Sequence, residues 1–289
     1  MSDLRIGGTR ASSILGVGFQ TPLEVWAEMT ERTQREDISA LERIEAGVFM
    51  EDGAARWFSH RTGLAVEPSP GIVVDKIHPW LSGSPDRLIV LPDGTRGVLE
   101  AKNCHGMAKY DWRTEDGATL VPPGYRVQLQ TYLRITGLEV GYFAAVIGGN
   151  HLETPRMDKD EAFIEAMLEE LEYFMRQHIA KDIPPDVTYR DLGILKRLFP
   201  KDIGRSILIA DSHARESQAL SELIRVKSEI SALSKSRDEA QAIIFAAMED
   251  ATEIVTPLGT ATWKWQKAHH QAKEAKVVES RVLRTKETK

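Results

Sequence analysis

The chain has 289 residues, enough for one large domain and an appendage. A formal net charge of -6 excludes a uniformly basic nucleic-acid binder, and the single cysteine, Cys104, excludes an internal disulfide, an all-cysteine zinc site and a four-cysteine iron–sulfur cluster. No stretch is apolar enough to span a bilayer and the N-terminus has no apolar leader core, so a soluble cytoplasmic protein with no membrane partner is expected.

In chain order, Thr9 is placed to cap a short helix over 10–15, and Pro22 suits the first turn of a second over 23–31. Leu41, Ile44, Val48, Ala55 and Phe58 recur at helical spacing, which predicts a long amphipathic helix ending at Gly63, with Glu51 inside it. Residues 64–102 change to strand signals: the β-branched run GIVVDKI, then DRLIVL and GVLEAK on either side of the turn PDGT. After Pro122-Pro123, YRVQLQTYLRIT reads as a helix stopped by Gly137, VGYFAAVIGG as a buried strand, and 158–180 as an amphipathic helix ended by DIPPD. Residues 153–186 carry ten acids against four Lys/Arg. Beyond residue 200 the character changes. From Leu223 to Ala247 apolar residues follow a 3-4 spacing interrupted by Arg237, a coiled-coil-like seam read here as helix packing within the chain rather than a dimer zipper. EIVTPLGTATWKWQ reads as a hairpin, and the tail is basic: residues 251–289 hold eight Lys/Arg against four acids, a local surface able to meet phosphate. There is no internal repeat. The expected organisation is therefore a domain over 1–200 and a helix, hairpin and basic tail over 201–289.

The hairpin SGSPDRLIVLPDGTRGVLEAK carries the chemistry. Residues two apart on a strand share a face, so Glu100 and Lys102 project together and Ala101 faces the other way. The turn brings Asp86 near Glu100. Two converging carboxylates repel unless a proton or cation lies between them, and hard oxygen ligands suit Mg²⁺ or Mn²⁺. A neighbouring lysine would orient a water for attack on a phosphodiester. The plain alternative stands beside it: Asp86 merely opens a strand after a Ser-Pro turn, and Glu100–Lys102 is a surface ion pair worth little. Other candidates have plain readings too. Cys104 lacks a base held by a third group and is read as a structural thiol. His269-His270 are adjacent and would not converge on a metal. Trp263 and Trp265 are read as a same-face pair covering a core, with base stacking between Lys264 and Lys267 as the alternative.

Ser84-Pro85-Asp86 followed by Glu100-Ala101-Lys102 resembles the PD-(D/E)-x-K nuclease signature. RIGGTRASSILGVGFQTPLEVW, EAGVFMEDGAARWFSHRTG and YRVQLQTYLRITG, in that order, resemble segments of one branch of that superfamily, the phage lambda exonuclease and YqaJ-like viral recombinase nucleases. The resemblance implies an α/β (α+β) restriction-endonuclease-like core: a central mixed sheet flanked by helices, with a C-terminal helical and hairpin appendage. It implies Glu51, Asp86, Glu100 and the Ala101 carbonyl as metal ligands, Lys102 positioning the water, Gln128 orienting water or phosphate, and Arg5, Thr9, Ser84 and Tyr132 near DNA phosphates. Thr9 stands where the family has serine, and the charged insertion 107–121 has no counterpart in the pattern. The implied activity is Mg²⁺- or Mn²⁺-dependent 5′-to-3′ degradation of linear duplex DNA in a bacterial cytoplasm, phage or prophage encoded. It leaves 3′ single strands for recombination. Duplex DNA ends, a single-strand annealing protein and a homo-oligomer are the implied partners. A structure-specific or restriction-type endonuclease is the enzymatic alternative, and a catalytically silent DNA-binding or assembly protein the other. No P-loop is present, so no ATP-driven motor is expected in this chain.

Overall fold

The computed structural model describes residues 4–34, 37–265 and 267. The chain divides into two compact units at Leu198 and Phe199.

In the first unit, α1 (Gly8–Ile14) is entered through the extended Gly7, not capped by Thr9; Thr9 lies inside the helix, where its carbonyl accepts the Ser12 and Ser13 hydroxyls. α2 (Pro22–Met29) starts at a capping box between Thr21 and Glu24 with proline in its first turn. α3 (Glu42–Thr62) stops at Gly63, whose φ of 75° is the left-handed conformation glycine adopts without strain. Only its C-terminal half is core, through Ala54, Ala55 and Phe58. Val48 and Phe49, the former counted in the expected apolar face, are exposed, because that half of α3 borders a cavity instead of the sheet.

The strands follow as β1 (Ala65–Pro68), β2 (Val73–Val74), β3 (Ser82–Gly83), β4 (Arg87–Val90) and β5 (Arg96–Cys104). The run GIVVDKI pairs over two residues only, because Asp75 turns inward to accept the Ile77 and His78 N–H groups and the Arg134 guanidinium. After β5 come α4 (Pro123–Thr136), β6 (Val140–Ile147), β7 (His151–Glu153), β8 (Arg156–Asp158), α5 (Glu161–Phe174) and α6 (Leu192–Leu198). Sheet order is β1-β4-β5-β6-β7, with β8 also on β6. The β5–β6 pair is parallel and the others antiparallel, so the sheet is mixed, and α4 lies in the crossover a parallel pair requires. One face packs Ile89, Leu99, Ala144 and Val146 on α3; the other packs Val98, Phe143, Ala145 and Ile147 among α1, α2, α4 and α5. The insertion at 107–121 buries Trp112 and is pinned to β7: Glu153 accepts from Arg113 and Thr119 and is paired with His151.

Asp191, fully buried just before α6, accepts from the Thr21 hydroxyl at 2.5 Å and from the amide and hydroxyl of Thr188. Burial works against its charge, but these bonds win and hold the carboxyl below its ordinary range. Asp191→Ala should cost about 2–4 kcal/mol in urea unfolding near pH 7. The difference from wild type should shrink as pH falls below 3.8, where the depressed carboxylate finally protonates.

The second unit holds α7 (Arg215–Met248) and the antiparallel hairpin β9 (Glu253–Thr256) and β10 (Gly259–Thr262). Trp263 and Trp265 lie beyond β10 rather than on it. They cover no core: Trp265 is exposed, and Trp263 stacks on Phe245 with ring centroids 4.2 Å apart. Among the described residues of α7 Met248 is buried, Leu223, Val226 and Ile244 of the seam are half-buried, and Ile230 and Leu233 are exposed. His269, His270 and most of the basic tail lie outside the described residues. Among those described, no helix is long and apolar enough to cross a membrane.

Candidate active site

Antiparallel pairing of β4 with β5 sets Arg87 opposite Leu99, and one step further sets Asp86 across from Glu100. Asp86 is anchored there by accepting the Ala101 N–H at 2.9 Å. Strand alternation sends Leu99 to the α3 face and Val98, Glu100 and Lys102 to the α4 face. From α4, Gln128 closes the group. The Lys102 ammonium donates to Glu100 Oε1 at 2.7 Å and to Gln128 Oε1 at 3.0 Å, while Gln128 Nε2 donates to Glu100 Oε1 at 2.6 Å and to the Tyr132 hydroxyl at 3.0 Å. The amide orientation follows from charge: its oxygen must face the ammonium and its nitrogen the carboxylate.

All of this concentrates on one oxygen. Glu100 is 1% exposed, and its Oε2 is buried without a hydrogen-bond partner. Burial, reinforced by Asp86 and only partly offset by Lys102, pushes the Glu100 carboxyl up to about 8. Lys102 is also buried, which alone would lower it, yet the Glu100 carboxylate more than compensates and holds it above its ordinary value. Tyr132 is raised by burial and by the Glu100 charge. Cys104 is raised by burial, which suppresses its thiolate and fits a structural thiol.

Glu51, Asp86, Glu100, Ala101, Lys102 and Gln128 line one cavity of about 370 Å³. Glu51 shares that cavity with Asp86 and Glu100, and Arg87 donates to its carboxylate at 2.5 Å and to the Asp86 carbonyl as well. Among the described residues no three His, Cys, Asp or Glu side chains form a ready metal cluster. The oxygen donors at this cavity are the Glu51, Asp86 and Glu100 carboxylates, the last with a bare oxygen, and the adjacent Ala101 carbonyl. Hard oxygen donors and a buried acid only partly offset by Lys102 fit a Mg²⁺- or Mn²⁺-type cation. A second cavity, of about 1120 Å³, shares Arg43, Ile44, Lys102, Asn103 and Gln128 with the first and includes Thr9. Arg5 and Ser84 line neither; the Ser84 hydroxyl is 3.5 Å from that of Ser69. Tyr132 stands behind Gln128.

All of these residues fall in one matched segment: residues 2–139 match the family described as the YqaJ-like viral recombinase domain. The chain is 27% identical over 264 residues to the uncharacterized protein YqaJ of Bacillus subtilis (strain 168), covering 90% of this chain and 80% of that one. Among solved structures it is similar to an alkaline exonuclease from Laribacter hongkongensis, with 19% identity, a TM-score of 0.48, and 62% and 89% of the two chains covered. It is also similar to a phage related exonuclease from Haemophilus somnus 129PT, with 12% identity, a TM-score of 0.47, and 62% and 96% covered.

Within the matched segment, sequence reasoning missed Arg43 and Arg87. Arg43 was findable, since positions 43, 47, 51 and 54 share one face of α3, and that face borders the cavity. Arg87 gave no signal, because its pairing with Glu51 depends on how α3 crosses β4. Gly8 is a positioning element of the same kind. A Cβ there would lie 2.8 Å from Gln128 Cγ and 3.0 Å from Gln128 Cα, so α1 and α4 touch without room for a methyl group. Gly8→Ala should shift Gln128 off Lys102 and lower the thermal midpoint by several degrees. Circular dichroism melting checks this.

Proposed function

We propose that the chain is a divalent-metal-dependent deoxyribonuclease acting from the ends of linear duplex DNA. The observation that carries it is the unpartnered, buried Glu100 Oε2 beside Asp86, with Lys102 and Gln128 fixed around it. An oxygen-ligated cation bound by Asp86, Glu100 and the Ala101 carbonyl would acidify a water and neutralise charge on the phosphodiester. Lys102 spends two N–H groups on Glu100 and Gln128, leaving one to hold the attacking water or a phosphate oxygen at the cavity. Gln128 fixes the ammonium and passes its load to Tyr132, so neither side chain has rotational freedom to lose during reaction. Arg43, on the rim of both cavities, and Thr9 in the wider one are assigned to phosphates on either side of the reacting one. Arg5 and Ser84 remain candidates for a terminal phosphate outside the cavities. Glu51 holds Arg87, and through it the Asp86 backbone.

The similarity of residues 2–139 to the YqaJ-like viral recombinase domain supports a role in recombination. The finer reading is 5′-to-3′ degradation that exposes 3′ single strands for an annealing protein. The test uses linear duplex DNA labelled separately at each 5′ and 3′ end, and a closed circular duplex, with Mg²⁺ or EDTA. The reading expects loss of the 5′ label first, only with Mg²⁺, and an intact circle. A cut circle would mean an endonuclease; salt-dependent binding without cleavage under Mg²⁺ or Mn²⁺ would mean a silent DNA-binding protein.

A further inference from the structure

The insertion at 107–121 meets the site through a cluster of rings. Trp112, 1% exposed, anchors the insertion in the core. Its side chain is hydrogen-bonded to the Cys104 thiol, which follows Glu100 and Lys102 along one face of β5. Its ring stacks on Tyr125, with centroids 5.6 Å apart and planes 30° apart, and packs edge-to-face with Phe143 at 5.5 Å. Phe143 is the β6 partner of Glu100. Tyr125 stands on α4 about one turn before Gln128. The Lys102 ammonium lies over the Tyr125 ring, 4.9 Å from its centroid. Glu100, Gln128 and this ring therefore surround the ammonium together.

We propose that Tyr125 is a positioning residue that aims Lys102, and that the 107–121 insertion serves the site by holding Tyr125 through Trp112. An aromatic face attracts an ammonium through its quadrupole and offers no lone pair to claim an N–H. The charge is thus held in place while the third N–H of Lys102 stays open to a water or a phosphate oxygen. A carboxylate in the same place would take that N–H. An aliphatic side chain would leave the flexible stem of Lys102 free to turn. Rigidity comes from the stack: Trp112 confines Tyr125, and Arg113 and Thr119, on either side of a short bridge, pin the insertion to Glu153 of β7.

The effect on rate rests on the nuclease reading, whereas the contact does not, so the two are measured separately. Trace acetylation of the full chain without DNA or metal, followed by peptide mass spectrometry, reads how freely Lys102 is reached, with exposed Lys76 as the internal standard. Tyr125→Leu should raise Lys102 labelling about tenfold, and Tyr125→Phe should leave it as in wild type. A trifluorophenylalanine in place of Tyr125 keeps the ring but makes its face electron-poor, and should raise labelling as Tyr125→Leu does. Trp112→Leu should raise it likewise, and Arg113→Ala, which unpins the insertion without touching the core, by a smaller factor. With Mg²⁺ and linear duplex DNA, Tyr125→Leu should lower kcat about tenfold with KM within about twofold, and Tyr125→Phe should retain the wild-type kcat. Labelling that Tyr125→Leu does not change overturns the proposal. So does a Tyr125→Phe chain as reactive as Tyr125→Leu, which would put the role on the hydroxyl, or a fluorinated chain that matches wild type, which would reduce the ring to its shape. Wild-type labelling in both Trp112→Leu and Arg113→Ala overturns the part given to the insertion. A wild type that cleaves no DNA counts against the nuclease reading, and the labelling still decides the contact.

Discussion

Glu100→Gln and Lys102→Ala should each lower Mg²⁺-dependent hydrolysis of linear duplex DNA by about a thousandfold or more, for different reasons. Glu100→Gln keeps the shape of the site and its contacts with Lys102 and Gln128, but removes the charge from an oxygen that has no other partner. Cation binding should be lost with it, seen as loss of the Mg²⁺ or Mn²⁺ heat in titration calorimetry. Lys102→Ala leaves both acids and removes an ammonium bonded to two partners at the cavity wall. Its cation heat should persist or grow, since the repulsive positive charge has gone, while kcat falls and DNA affinity changes little. The double variant should be hardly slower than either single one, because both groups serve one step. Equal cation binding in wild type and Glu100→Gln would remove the metal site from this hairpin.

The route to this site ran through periodicities short enough to read from the sequence. The hairpin, Glu100 and Lys102 on one face, the stops at Gly63 and Gly137 and the α4 helix follow from local turn chemistry and alternation. What the sequence hid depends on distant partners. The tie between Glu51 and Arg87 needs the crossing of α3 over β4, and the β-branched run at 71–77 loses most of its strand to the Asp75–Arg134 pair, 59 residues apart. β7 and β8 are three residues each, too short for an alternation to register. The seam of α7 was visible as a pattern, but a pattern does not say whether its cover comes from the same chain. Trp263 and Trp265 alternate as strand residues would, yet the ladder ends at Thr262.

Cation affinity should rise with pH up to about 8 and then level off. Without a cation, Glu100 keeps a proton because burial and the neighbouring Asp86 disfavour its charge. A cation binding to its carboxylate must displace that proton, so apparent affinity should rise about tenfold per pH unit below the plateau, with close to one proton released per ion near pH 7. Calorimetry in buffers of different ionisation enthalpy measures the released proton directly. The same displacement fixes a stability trend for the metal-free chain. Between the ordinary value of 4.5 and about 8 the folded state holds a proton on Glu100 that the unfolded state has lost. Its contribution to stability is therefore intact below 4.5, falls as pH rises through that window, and is fully lost above it. Glu100→Gln carries no such proton. In EDTA, its melting temperature should match wild type near pH 4.5 and exceed it by several degrees at pH 8.5, the reverse of what losing an ordinary buried ion pair would do. A wild type that is the more stable of the two at pH 8.5 would mean that Glu100 is satisfied as a carboxylate by Lys102 alone, and that its bare oxygen needs no cation.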